Sequence, residues 1–220
     1  MKKICKEWFI KIILLFIGLT IAHLGVTLFL LTSLGSDPFN VLVQGIFYAL
    51  RETTGLTFLT HGTIHIAMCF LIILILLIVD RSYIKIGTLL CMIFGGPIID
   101  GFTLLLSPLF VHINALPLKL LMLVLGCIIL AYGMTIVIKS DCGTGPNDLV
   151  AIAFSDKLRI KFSIMRIITD ALFVLIGFLL GGSVGIGTIV CVFLIGPVAG
   201  IFLPINEKII QKILFSCRIS

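Results

Sequence analysis

Charge is what this sequence has least of. Only 12% of its 220 residues are Asp, Glu, Lys or Arg, against about 25% in soluble domains. So little charge cannot cover a water-soluble fold, and no stretch is polar enough for a domain outside a bilayer. Glutamate is rare: Glu7, Glu52 and Glu207 all lie near ends or loops. No GxSxG, HExxH or Walker loop occurs, and no clustered His/Asp set. No enzyme activity, no metal and no cofactor are therefore expected. The seven cysteines (Cys5, Cys69, Cys91, Cys127, Cys142, Cys191 and Cys217) form no CxxC pair, which argues against zinc and redox motifs. Burial and a reducing cytosol oppose a disulfide. No A-x-A cleavage site follows the first apolar run, Trp8–Leu34. That run far exceeds a signal-peptide core of ~7–15 residues, so it is read as a retained first span.

What the chain has in quantity is hydrocarbon. Hydrophobic residues make up 60% of it, and 17 are Phe. The natural unit is a membrane span of about 20 residues. The net charge of +6 comes from basic residues set between apolar runs. There they act as topology signals, so nucleic acid is not an expected partner.

A duplication organises the sequence. Under a shift of 108, Gly18 meets Gly126, Gly25 meets Gly133, Thr27 meets Thr135, Gly35 meets Gly143 and Pro38 meets Pro146. Further on the shift is 100. Ile86-Gly87-Thr88 meets Ile186-Gly187-Thr188, Cys91 meets Cys191, and Gly96-Pro97 meets Gly196-Pro197. The first copy thus holds eight extra residues near Arg51 to Gly62. Two membrane units follow, 1–110 and 111–220.

Each unit reads as a long apolar helix, a Gly/Pro break, a short apolar segment and two further spans. The breaks are Leu34–Pro38 and Cys142–Pro146. The short segments, Phe39–Leu50 and Asn147–Phe154, decide the topology. The second has eight residues, a rise of ~12 Å in a helix, against a hydrocarbon core of about 30 Å. Such segments enter and leave on one side. The expected fold is all-α, a polytopic bundle of about six spans plus two half-helices in two inverted repeats. With the N-terminus inside, fourteen of sixteen basic residues fall inside, all but Arg51 and Lys119, as the positive-inside rule requires. An eight-span arrangement puts three outside (Arg81, Lys85 and Lys139) and fits almost as well. Segment length is therefore the stronger argument.

The breaks carry the functional expectation. Asp37 suits an N-cap and Pro38 the first helical position; Gly145 and Pro146 repeat this with a weaker cap. Asn40 and Asp148 each lie about two residues past the proline, where the helix dipole is positive. In an inverted repeat such N-termini can meet near the midplane and build a transporter site. Free N–H groups there favour an anionic or polar group, while Asp37 and Asp148 either occupy those N–H groups themselves or bind a proton or cation. The bland alternative is that all these residues are only caps and turns. The substrate-binding candidates are Asp37, Pro38, Asn40, Gln44, Gly143, Gly145, Pro146, Asn147 and Asp148. Arg166 and Asp170 stand four apart, on one helix face; they form an ion pair or, with Asp100, a relay. His23 and His65 face the bundle interior, as structural histidines before ligands. Gly96-Pro97 and Gly196-Pro197 are close-packing points or paired hinges.

The segments Leu34-Gly35-Ser36-Asp37-Pro38-Phe39-Asn40 and Gly143-Thr144-Gly145-Pro146-Asn147-Asp148, with the later Ile-Gly-Thr and Gly-Pro pairs, resemble the bacterial YczE/YyaS/YitT membrane protein family. The likeness runs from about Gly18 to Ile205 and favours the YczE branch, since no YitT-type soluble C-terminal domain follows. It implies a multi-pass protein of the bacterial plasma membrane. Some members are classed as candidate exporters of antibiotics or other small molecules, and no agreed functional residues come with the resemblance.

The expected function is small-molecule transport, by a secondary transporter or exporter with cytoplasmic N- and C-termini. The rivals are a substrate-binding membrane subunit of a multi-component uptake system and a non-transporting accessory protein. Expected partners are the lipid bilayer and a small-molecule substrate, with a homo-oligomer left open.

Overall fold

The computed structural model describes residues 2–54, 60–110, 113 and 115–219, with side chains at 6–53, 60–110, 113 and 115–216. Of the stretch Arg51 to Gly62, expected to hold the eight extra residues, positions 55–59 lie outside the described residues. Eight α-helices make up the described chain: α1 (Lys2–Leu31), α2 (Pro38–Thr54), α3 (His61–Val79), α4 (Ile86–Phe110), α5 (Leu116–Lys139), α6 (Pro146–Leu158), α7 (Phe162–Leu179) and α8 (Ile186–Ile219). A 3₁₀ turn, Arg81–Tyr83, links α3 to α4. Among the described residues there is no strand. All but α2 and α6 are long and apolar enough to cross a membrane, which makes six candidate spans.

Local chemistry sets the helix ends. Thr60 caps α3: its hydroxyl accepts from the Thr63 N–H, and the Thr63 hydroxyl accepts from the Thr60 N–H. Asp80 caps the 3₁₀ turn by accepting from the Ser82 N–H at 2.9 Å. Helix α6 runs four residues past the expected end at Phe154. Polar Ser155, Asp156 and Lys157 leave the apolar run but do not break the helix. Arg159 does, at φ 55 in the left-handed region. At 13 and 17 residues, α6 and α2 span ~20 and ~26 Å, still short of the hydrocarbon core.

The outer surface is apolar. Ile78 and Leu104 are each 79% exposed, an arrangement suited to lipid and hostile to water. Inside, α1 and α5 cross through glycines. A methyl built on Gly25 would lie 2.5 Å from the Gly126 carbonyl, and one on Gly133 only 2.2 Å from the Ala22 nitrogen. Gly18 faces Gly133 while Gly25 faces Gly126, so the two helices run antiparallel. Without a hydrophobic drive between helices in lipid, close backbone approach supplies the packing. Gly133→Ala should therefore destabilise the protein by about 1–3 kcal/mol. Gly101→Ala, where a methyl meets nothing within 4 Å, should be neutral or slightly stabilising. Thermal unfolding in detergent compares the two; equal melting would remove this crossing from the account of stability.

Contacts between the halves repeat with the offsets seen in the sequence. The Gly87 N–H donates to the Cys142 carbonyl at 2.8 Å, and the Gly187 N–H to the Leu34 carbonyl at 2.9 Å. Each break is thus clasped by the opposite half. The segments also return to where they start. Before α6, Asp141 accepts from Lys85; near its end, Asp156 accepts from Tyr83 at 3.2 Å. Both partners sit in the α3–α4 turn. Likewise Ser36 accepts from Thr188 at 2.6 Å, while Gln44 accepts from the Ser183 N–H at 2.8 Å. Ser183 sits in the α7–α8 turn and Thr188 in the first turn of α8. Neither short helix crosses the bundle.

The halves also differ. Helix α8 packs on α7 through Gly196 and Gly200, whose added methyls would lie 2.5 and 1.9 Å from Ser163 oxygens. Helix α4 lacks the matching close contact: a methyl on Gly96 would meet nothing within 4 Å. The Thr188 hydroxyl has its partner in Ser36, but the buried Thr88 hydroxyl has none among the described residues.

Candidate functional site

The two short helices point their N-terminal ends into one chamber of about 360 Å³. From the first break come Asp37, Pro38 and Asn40; from the second come Gly145, Pro146, Asn147 and Asp148. Seven of the nine substrate-binding candidates therefore meet in one place, although about 110 residues separate the breaks. The other two do not. Gln44 points to the α7–α8 turn, with its Nε2 3.4 Å from the Tyr48 hydroxyl. Gly143 shapes the second break at φ +121 and packs on Gly87 and Thr88. Only glycine tolerates both that dihedral and that contact.

Asp37 works as a cap. Its Oδ1 accepts from the N–H groups of Phe39 and Asn40 at 3.1 and 3.2 Å, and its Oδ2 from the Asn40 carboxamide. The α2 amides are thus occupied by the protein's own carboxylate, the capping role expected of Asp37, and are not left free for a ligand. The Asn40 side-chain oxygen Oδ1 continues to His65 Nδ1 at 3.3 Å. The His65 ring stands edge-on to Phe39, with ring centres 5.3 Å apart. Helix α6 has no side-chain cap at Gly145. Its first turn presents Asp148 instead.

Asp148 binds Arg166. Arg166 Nη1 donates to Asp148 Oδ1 at 2.5 Å, and Arg166 Nε donates to Asp170 Oδ2 at 2.8 Å. The expected Arg166–Asp170 pair exists, then, and it extends to the chamber wall. Burial is deep: the side chains are 8% exposed for Arg166, 1% for Asp170 and 18% for Asp148. An ion pair this dry holds only when each charge finds a partner. Asp100, the third relay candidate, is exposed on α4 and away from the chamber.

The rest of the wall comes from α1, α3, α4, α5 and α8. His23 bonds the Leu19 carbonyl through Nδ1 at 2.7 Å and turns Nε2 toward Gly95. Cys69, Cys91, Met92 and Ile99 were not singled out in sequence. As apolar residues inside apolar runs, they carry no signal that separates a wall from a core. The described cysteines Cys69, Cys91, Cys127, Cys142 and Cys191 are free thiols.

At one end of the bundle, Asp141 gathers Lys85 and Lys11, the latter at 3.1 Å. The Lys85 hydrogen bond, with smaller help from Lys11 and against some burial, holds the Asp141 carboxyl below its usual range. A depressed carboxylate stabilises the fold above its unfolded value, ~3.9. That contribution fades as pH falls through the lower folded value.

Against known proteins, the profile of DUF6198 matches residues 9–204. The chain belongs to DUF6198, a family of unknown function. Similar proteins include YyaS of Bacillus subtilis, an uncharacterized protein 26% identical over 192 residues, 87% of this chain and 92% of that one. Another is the uncharacterized membrane protein YczE of the same organism, 26% identical over 197 residues, covering 89% and 86%. An uncharacterized protein of Haemophilus influenzae is 28% identical over 200 residues, covering 90% and 84%. No solved structure matches. The resemblance to YczE and YyaS is thus borne out, and this DUF6198 chain is a multi-pass membrane protein.

Proposed function

We propose that the protein is a secondary transporter of a small molecule, with its site in the chamber between the two breaks. One observation carries the reading: broken helices from both halves bring their N-terminal ends to one cavity inside an apolar bundle. Irregular backbone at membrane depth is tolerated where protein or a wet cavity covers it, and this arrangement suits a transport site. The antiparallel α1–α5 crossing and the reciprocal clasps support two inverted repeats, 1–110 and 111–220. The unequal packing of α3–α4 and α7–α8 supports alternating access, one gate open and the other shut. In this reading the protein sits in the bacterial plasma membrane with cytoplasmic termini, and an ion gradient or a partner supplies the energy.

Proteoliposomes holding the protein should move some solute from a broad panel. Asp148→Asn should cut that flux at least about tenfold, since it removes a charge-assisted contact at the site. Folding should persist because Arg166 keeps Asp170. Flux no greater than that of empty liposomes would leave transport without support. Tight binding without flux would instead favour the substrate-binding subunit.

Topology has its own test. A polar thiol reagent should label Asp141→Cys and Asp156→Cys from one side of the membrane and Ser183→Cys from the other. All three positions are exposed. Labelling of Asp141→Cys and Asp156→Cys from opposite sides would turn α6 into a span.

A further inference from the structure

Charge inside the chamber does not balance. Asp37, Asp148, Arg166, His23 and His65 line it, and Asp170 stands directly behind Arg166. Among the described residues Arg166 is the single guanidinium there, shared between Asp148 and Asp170. Among the described residues the hydrogen-bond partners of Asp37 are neutral: two backbone amides and the Asn40 carboxamide. The lysines of known contacts lie elsewhere: Lys11 and Lys85 on Asp141, and Lys139 on Glu207. With all three carboxyls ionised and both imidazoles neutral, three carboxylates stand against one guanidinium, an excess of two negative charges.

An excess of that kind at membrane depth is costly. A ligand carrying positive charge offsets it; an anion adds to it. The N–H groups of α2 that would attract an anion are already taken by Asp37. A bare metal ion fits poorly as well. Among the described residues no three His, Cys, Asp or Glu side chains group to hold one, and much of the wall is hydrocarbon: Leu19, Val26, Phe39, Met92, Ile99 and Met134. The volume suits a small organic molecule.

Resting on the transporter reading, we propose that the chamber takes a small organic cation. Its ammonium group is held by the carboxylates of Asp148 and Asp37, and its hydrocarbon part lies against the apolar wall.

Matched probes test this. Each carbon skeleton is supplied as ammonium, alcohol and carboxylate: 2-phenylethylamine, 2-phenylethanol and 3-phenylpropanoate, with butyl and cyclohexylmethyl sets beside them. Binding is measured by calorimetry on protein in lipid nanodiscs, and flux in liposomes. The ammonium members should bind at least about tenfold tighter than the alcohols, as a charge-assisted contact provides, and the carboxylates more weakly still. Asp37→Asn and Asp148→Asn should each lower that preference about tenfold, through weaker ammonium binding. Asn remains a good N-cap at position 37, so that variant should fold; unchanged melting checks it. Alcohols or carboxylates binding as tightly as ammonium would overturn the proposal. So would the absence of binding by every ammonium probe. If carboxylates bind and are moved, the cation proposal falls while transport stands. If ammonium probes bind but nothing moves, the cation site stands and transport falls.

Discussion

Replacing Arg166 by Leu should nearly eliminate folded protein, and adding Asp170→Asn should bring much of it back. Arg166 is 8% exposed and serves two carboxylates, one of them 1% exposed. Breaking a buried pair by removing one partner costs about 3–5 kcal/mol, because the other charge stays behind unpaired. That is a large share of a typical stability of ~5–15 kcal/mol. Asp148 also loses its partner but opens on the chamber, where water can reach it. Asp170 cannot turn outward, so neutralising it removes most of the penalty. Asp170→Asn alone should be mild, since Arg166 keeps Asp148 at 2.5 Å. Size-exclusion profiles and thermal unfolding of the single and double variants supply the measurement. A single Arg166→Leu variant as stable as wild type would show that the triad does not hold this region.

The second large effect concerns the gate. Gly96 corresponds to Gly196 and Thr63 to Ser163 in the repeat. In the second half those positions touch; in the first they do not. If α4 swings onto α3 during transport, Thr63→Cys and Gly96→Cys should meet in that closed state. Oxidation should then trap a disulfide and lower flux to the level of empty liposomes, with recovery on reduction. Thr63→Cys or Gly96→Cys alone should keep wild-type flux under the same oxidant. This control matters because the native Cys69 and Cys91 line the chamber. Full flux with the disulfide formed would rule out a moving α4. The unbonded Thr88 hydroxyl fits such motion: its counterpart Thr188 is bonded to Ser36.

Much of this was legible in the sequence because Gly and Pro are placed by backbone geometry. Gly18, Gly25, Gly126 and Gly133 stood out by spacing, and they are where two helices touch. Asp37-Pro38 and Gly145-Pro146 announced helix starts, and both helices start at the proline. Which polar residues face inward was less legible. Gln44 lies on α2 in a pattern that also suits a cavity, yet its amide serves a turn of the other half. Asp148 looked like a ligand for a substrate; that Arg166 holds it depends on how α6 lies on α7, which no spacing reveals. The missing contact at Gly96 was not legible at all. Gly96 and Gly196 read alike in sequence and differ only in what packs against them.

The reciprocal clasp has a consequence for biogenesis. Leu34 waits for Gly187, about 150 residues downstream. At ~5–20 residues per second, the ribosome needs roughly 8–30 s to deliver that partner. Throughout that time the first hairpin sits in the membrane with its carbonyls unsatisfied, within reach of quality-control proteases. A nascent chain stalled before α8 should therefore be a degradation substrate, and neither half expressed by itself should accumulate.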